Sequence, residues 1–370
     1  MATLAETLLP AHLPHSDAAS DPPHWSVQGL VEKGVKAVPE EYLKDFSPNN
    51  LPSSAVLDGS VDIPVIDFGM MQKGNAQELQ KFFKAIDEWG FFQLVNHSLT
   101  PGLLNHALDL CKKFFNLPLC EKVHYFAPDP NKAYVGYGRV NPITETTTAD
   151  WGDTLMMDAD LPVSTKEKVD LTNWNQLPDT YRDGISKFAK ETHNLGLSLL
   201  AILTQNLGIA PVEDSCGELG LQLCTNVYPP CPNPEIVMGL SAHSDPQVIS
   251  LLIQDKPGLQ VLKDGRWVMI NPIDDAFVVN LGDQLEVLSN GRYKSVVHRV
   301  VASKTYTRYS LGSFLRPKVE AVIGPDPKLV DEQHPARYKQ IKFGDFISDS
   351  LTYGFTEKRG VNSGKVDGET

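Results

Sequence analysis

The sequence predicts an α+β protein whose first half is mainly helical and whose second half is a β-sandwich or jelly roll. Two observations carry this reading. From Ser26 to about Pro211 apolar residues recur at the helical period, and after Cys216 they recur at the strand period, every second residue. The short β-rich runs of the second stretch are evenly spaced and punctuated by tight-turn signals such as "KDGR" and "SNGR", a pattern that favours a sandwich or jelly roll over a parallel α/β sheet.

Taken in order, residues 1–25 are rich in Pro, Ala, Ser and Asp without any period, and read as a mobile N-terminal arm. Residues 26–212 form the mainly helical N-terminal region. In "NAQELQKFFKAIDEWG" the residues Leu79, Phe82, Phe83, Ile86 and Trp89 share one helix face, and Gly90 stops the helix. A strand, "FFQLVNH", follows. Thr100 as a cap and Pro101 in the first turn open a helix that Pro118 closes, and a longer helix over about 179–207 carries Tyr181, Ile185, Phe188, Leu195, Leu199 and Leu203 on one side. Residues 213–320 are the β core, with runs "LQLCTNVY", "VISLLIQ", "LQVL", "RWVMI", "AFVVNL", "SVVHRVV" and "RYSLGSF". Residues 321–370 read as a C-terminal helical segment and tail.

Composition narrows the function classes. A chain of 370 residues has ample material for a large core, whether as two domains or as one domain wrapped in extra helices. A formal charge of -13 and a pI near 5.2, with no Lys/Arg run, argue against nucleic acid and anionic membranes as partners. No apolar run reaches the roughly eighteen residues that a membrane-spanning helix needs. Five cysteines are an odd number without a Cys-x-x-Cys pair, and the N-terminus has neither the pattern of a signal peptide nor that of a transit peptide. The expectation is a monomeric cytoplasmic protein that acts on a small molecule.

The tripeptide His-Ser-Asp occurs twice, at His15–Asp17 and at His243–Asp245. The first lies in the arm, where no strand or helix would hold a ligand pair in place. The second opens the β region, where residues two apart project to one face of an extended segment. His298 in "YKSVVHRVV" is the remaining His of that region and the candidate third ligand. Two His and one carboxylate are the facial triad of non-haem Fe(II) oxygenases and leave open positions on the metal; a zinc hydrolase can use the same ligands. What separates these chemistries lies further on. In "RYSLGSF", Arg308, Ser310, Gly312 and Phe314 share a strand face, so a planar donor fork and a hydroxyl converge as a carboxylate requires. In "LQLCTNVYPPCPNP", Gln222, Cys224, Asn226 and Tyr228 do the same.

At this point the chain resembles the plant 2-oxoglutarate- and Fe(II)-dependent dioxygenases, the class that includes flavonol and anthocyanidin synthases, thebaine demethylase and coumarin-forming hydroxylases. The resemblance spans about residues 28–350 and rests on "VPEEYL", "IPVIDF", "WGFFQLVNHS", "FFNLP", "NVYPPCPNP", "GLSAHSDP", "PGLQVLKDGRWV", "VVNLGDQLEVLSNGRYKSVVHRVV" and "RYSLGSF". It implies a distorted double-stranded β-helix (jelly roll) core flanked by helices. It also implies iron on His243, Asp245 and His298, the distal carboxylate of 2-oxoglutarate on Arg308 and Ser310 with Tyr228 and Asn226 assisting, and ascorbate as reductant. The reaction so implied uses O2 to hydroxylate, desaturate or O-demethylate a small specialised metabolite while 2-oxoglutarate becomes succinate and CO2. Two alternatives share the fold: an ascorbate-dependent oxidase that does not consume 2-oxoglutarate, and a non-catalytic small-molecule binding protein. Phe314, Cys224 and Tyr137 are the candidate substrate residues. Cys224 stands where many relatives have Arg, which points to a neutral aromatic or terpenoid ring system. Ser98 stands where Gly is usual, a change at a turn, and His97 reads as structural.

Overall fold

Strand alternation organises the molecule around two facing sheets. The computed structural model describes residues 26–46, 63–122, 125, 136–139, 148–159, 179–353 and 358–366. The expected arm, with the first His-Ser-Asp, lies outside them. The larger sheet has the order β1 (Val65–Asp67), β2 (Phe91–Val95), β10 (Phe277–Leu281), β7 (Ile249–Gln254), β12 (Arg308–Arg316), β5 (Gly220–Tyr228), β4 (Asp153–Ala159), β3 (Gly136–Arg139). Its pairs are antiparallel except β1 with β2. The smaller sheet has the order β6 (Leu240–His243), β11 (His298–Val300), β8 (Leu259–Lys263), β9 (Arg266–Met269). A two-stranded ribbon, β13 (Val322–Ile323) with β14 (Ile341–Lys342), precedes the C-terminal helices α9 (Phe343–Tyr353) and α10 (Arg359–Ser363).

Helices cover the outer face of the larger sheet. Leu155, Thr225, Leu311, Leu251, Val279 and Phe92 point outward, and all but the hydroxyl-bearing Thr225 belong to the main apolar core, shared with α4 (Leu103–Phe115) and α6 (Asp179–Leu207). The six apolar residues expected on one side of α6 are all buried. The inner face meets the smaller sheet, where Phe91, Tyr228 and Val278 pack against Leu259, Val261, Val268 and Val300. Along the first half, α1 (Val27–Glu32), α2 (Phe68–Gln72), α3 (Ala76–Trp89) and α5 (Leu119–Lys122) add to the flanks, and α7 (Val212–Cys216) leads into β5. Asn75 caps α3 by accepting from the Glu78 N–H, and Gly90 ends it in the left-handed region at φ 59°. A side chain at 90 would strike the Lys294 carbonyl, so both conformation and space call for glycine there.

Strands β1 to β4, from the mainly helical first part, fill four of the eight places in the larger sheet. Two expectations change. Thr100 is not the cap of α4: Gly102 occupies that position at φ 76°, and Thr100 instead donates its N–H and hydroxyl to Glu191 (2.8 and 2.7 Å). The seven expected runs are strands, and "KDGR" turns between β8 and β9 with Asp264 and Gly265 both at positive φ. "SNGR", however, follows α8 (Asp283–Leu288), a helix too short to leave a period in the sequence.

Two smaller readings fit their surroundings. His97 is buried with its ring edge-on to Phe277; its Nε2–H donates to the Asp275 carbonyl and its Nδ1 accepts from the Leu99 N–H, which leaves no ring nitrogen for a ligand. Ser98 adopts φ 62°, the left-handed conformation that glycine takes without penalty.

Candidate metal centre

His243 is the last residue of β6, and His298, the first of β11, is its direct partner across the ladder. This cross-strand register brings the two imidazoles to 4.3 Å between ring centroids. Asp245 is not on the strand, as the alternation argument assumed, but in the turn that follows it. The turn still delivers the carboxylate. Asp245 Oδ1 lies 3.5 Å from Nε2 of His243 and 3.5 Å from Nε2 of His298. One ligand atom from each residue fits within a 4.8 Å span, and all three residues are nearly buried.

The orientation of each group follows from what its other atoms do. Nδ1–H of His243 donates to the Ser241 carbonyl (2.8 Å), and Nδ1–H of His298 donates to the Val296 carbonyl (3.1 Å). A carbonyl only accepts, so each Nδ1 carries a proton, and in the neutral imidazole the lone pair is on Nε2, the atom that faces Oδ1 in both residues. The second carboxylate oxygen is already occupied: Oδ2 of Asp245 accepts from Ser250 Oγ (2.5 Å) and Asn280 Nδ2 (2.8 Å). Burial pushes His298 down to about 4 against the pull of Asp245, so this imidazole is neutral at neutral pH. Burial also opposes ionisation of Asp245, but His298, His243 and Asn280 together outweigh it and hold the carboxyl well below its usual range. A neutral His, a second His and a carboxylate whose ligand atoms converge are a donor set that could hold a metal ion, and of the type that Fe(II) takes.

Opposite this group stands the inner face of the larger sheet. Register places Arg308 against Tyr228, Ser310 against Asn226, Gly312 against Cys224 and Phe314 against Gln222, so the predicted residues of β12 and β5 share one face. On the other flank of β12, Phe314 is paired with Ser250, the residue that holds Asp245, which ties this face to the centre. Arg308 is buried, and its guanidinium lies over the Tyr228 ring, 5.1 Å from the centroid. It donates to Gln254 Oε1 (2.7 Å), the Lys256 carbonyl (3.2 Å) and Ser310 Oγ (3.5 Å). All are neutral acceptors, and among the described residues no carboxylate forms an ion pair with it. A buried cation held this way recruits an anion, because leaving it uncompensated costs about 3–5 kcal/mol. Gly258, at φ 150°, leaves the space it occupies; a Cβ there would sit 2.8 Å from Arg308 Cδ.

Tyr137 is the predicted residue that the fold does not bring to this face. It pairs with Leu155, which pairs with Thr225, and these point outward under the helices. Its ring packs against Phe114 and Phe115, and its hydroxyl donates to Asp153 Oδ2 (2.8 Å). One residue of strand phase decides this, since a shift by one reverses every side chain. Conversely, Ser250, Gln254 and Asn280 were missed. Their signal was a polar residue at an inward position of an otherwise apolar strand, in "VISLLIQ" and "AFVVNL".

Comparison with known proteins agrees with this geometry. Residues 219–317 match the 2OG-Fe(II) oxygenase superfamily, and residues 63–180 match the N-terminal region described as non-haem dioxygenase in morphine synthesis. The chain is 37% identical to jasmonate-induced oxygenase 4 of Arabidopsis thaliana, over 92% of this chain and 97% of that protein. It is 35% identical to codeine O-demethylase of Papaver somniferum, over 88% and 92%. Among solved structures, JOX2 in complex with 2OG, Fe and JA superposes with a TM-score of 0.80 at 32% identity, covering 93% of this chain and 98% of that one.

Proposed function

The chain belongs to the 2OG-Fe(II) oxygenase superfamily, and from that premise we propose that His243, Asp245 and His298 hold its Fe(II) and that Arg308 and Ser310 bind the distal carboxylate of 2-oxoglutarate. The protein is an Fe(II)- and 2-oxoglutarate-dependent oxygenase. The observation that supports the residue assignment is the convergence of both Nε2 atoms and Asp245 Oδ1 across from a buried arginine that has no carboxylate ion pair among the described residues. Fe(II) bound there supplies the redox chemistry that couples oxidative decarboxylation of 2-oxoglutarate, to succinate and CO2, with oxidation of an organic substrate by O2. The chain's residues do the rest. Arg308 orients the cosubstrate with its planar fork, Ser310 adds a hydroxyl donor, Tyr228 stacks beneath the guanidinium, and Asn226 completes the polar lining. We assign ascorbate as the reductant that keeps iron ferrous, and the cytosol as the compartment, which five unpaired cysteines support. Among the described residues no helix is long and apolar enough to cross a membrane.

For the organic substrate we propose a small, neutral, largely apolar ring system, hydroxylated, desaturated or O-demethylated. Phe314 offers it a ring on the inner face of β12. Cys224 lies beside Asn226 on the neighbouring strand, donating to Asn226 Oδ1 and in contact with the Thr154 hydroxyl (both 3.3 Å), and burial pushes its thiol up to about 11, so it stays uncharged. Beyond Phe314 the inward Arg316 is already matched by Asp158 at 3.2 Å. With Arg308 taken by 2-oxoglutarate and Arg316 by Asp158, an anionic substrate on these strands would give up hydration without gaining a cation. The function is tested by screening aromatic and terpenoid metabolites for substrate-dependent succinate release; a protein that oxidises its substrate without stoichiometric succinate is not using 2-oxoglutarate.

Two further results are expected. With one accepted scaffold in neutral and carboxylated forms, the wild type should favour the neutral form, and Cys224→Arg should shift kcat/KM toward the acid; no shift means that residue 224 does not set charge selectivity. Asn280→Ala removes one of two donors on Asp245 Oδ2 and should weaken Fe(II) binding about tenfold, within the range typical of outer partners of metal ligands. Chelator competition under anaerobic conditions measures this, and wild-type affinity in the variant would show that Ser250 alone orients the carboxylate.

A further inference from the structure

The strand that carries His243 needs support from outside its own sheet. β6 is an edge strand of the smaller sheet, with β11 on one side only. His243 pairs with His298 and Leu240 with Val300, so three steps along β6 answer two along β11, and the register slips just before the ligand. A bulge of this kind aims a side chain but leaves backbone groups outside the ladder. Here the Ser241 N–H is taken by a carboxylate from elsewhere: Asp150 Oδ2 accepts it at 2.9 Å, and Asp150 Oδ1 accepts the Ser241 hydroxyl at 2.6 Å. The carbonyl of the same Ser241 accepts Nδ1–H of His243 at 2.8 Å. Asp150 is 1% exposed, so its contacts replace water rather than compete with it.

Asp150 is in turn clamped by the N-terminal segment. Lys44 Nζ lies 2.9 Å from Asp150 Oδ1 and donates to the Thr148 carbonyl (2.9 Å). Three backbone bonds lock the pieces together: Lys44 N to Ile236 O, Ala149 N to Glu41 O, and Trp151 N to Met238 O. We propose that Asp150 is a positioning residue for His243, acting through Ser241, and that Lys44 makes the N-terminal segment part of the support of the metal site. The inference rests on the assignment of His243 as a ligand. It reaches beyond it to residues outside the proposed ligand set.

The test uses the full chain with Fe(II) alone as the probe, titrated anaerobically against a chelator, with the visible spectrum of the Co(II)-loaded protein as a second readout. Asp150→Ala is expected to weaken Fe(II) binding about tenfold or more and to alter the Co(II) bands. Asp150→Asn, which keeps one oxygen to accept the Ser241 N–H, should recover part of that loss. Asp153→Asn is the control: this equally buried carboxylate accepts from Ser26, Val27 and Gln28 at the start of α1 and from Tyr137 of β3, so the variant should melt earlier with metal affinity unchanged. Unchanged affinity in Asp150→Ala overturns the proposal, and so does an equal fall in both variants, which would signal general loosening. If Asp150→Ala does not fold, Lys44→Met decides, with a severalfold loss of affinity in support and none against. Wild-type protein that binds no Fe(II) defeats the ligand assignment itself, a separate failure.

Discussion

Asp245→Ala is expected to abolish both Fe(II) binding and succinate formation. Asp245 supplies the one anionic donor of the three converging ligands, and its Oδ1 is the atom that both Nε2 groups face. Its removal leaves two neutral imidazoles and no anionic donor, an incomplete facial set, and strands the Ser250 hydroxyl and the Asn280 amide without their acceptor. The loss should exceed the roughly 10–100-fold that follows from losing an outer partner of a ligand. His243→Ala and His298→Ala should behave alike, because each leaves an incomplete facial site. By contrast His15→Ala and Asp17→Ala, in the other His-Ser-Asp and outside the described residues, should leave turnover unchanged. Anaerobic iron titration and succinate release measure the outcome. Iron still bound, with turnover, in Asp245→Ala would falsify the assignment.

Arg308→Lys should raise the 2-oxoglutarate requirement by about 10–100-fold, roughly 1.4–2.8 kcal/mol, while the KM for the organic substrate changes little. The guanidinium is pre-oriented by Gln254, the Lys256 carbonyl and the Tyr228 ring, and so presents a planar fork to a carboxylate. An ammonium at the end of a flexible stem offers a point charge, cannot form the parallel pair of bonds and leaves Gln254 Oε1 without its donor. Burial magnifies the difference, because no water fills in for the lost geometry. Steady-state kinetics with each substrate varied separately distinguish the two effects. An unchanged 2-oxoglutarate KM would place the cosubstrate's carboxylate elsewhere.

Much of the fold and of the site was legible in the chain itself. Local periodicity sufficed for the long helices, since Leu79 to Trp89 and Tyr181 to Leu203 bury their faces whatever they pack against. The same holds for the strand phase of β12 and β5: alternation put Arg308 with Ser310 and Phe314, and Asn226 with Tyr228 and Cys224, before any partner was known. The proposed metal ligands were legible as residue types, two histidines and an aspartate with a stable backbone around them.

Tertiary structure decided what depends on pairing between distant segments. Alternation says that Tyr137 shares a face with its second neighbours, but not whether that face meets helices or the opposite sheet; the ladder from β3 through β4 to β5 turned it outward. Likewise β1, β3 and β4 did not stand out from the helical region as strands, and β2, which did, found its place only against β10, more than a hundred residues away. Asp245 reached its position through a turn rather than a strand, held by Ser250 and Asn280, and Asp150 reached Ser241 across 91 residues of chain. The physical reason is one of range. Helix and strand periods follow from covalent geometry within a few residues, whereas a buried polar group finds its partner only when packing has removed water from both.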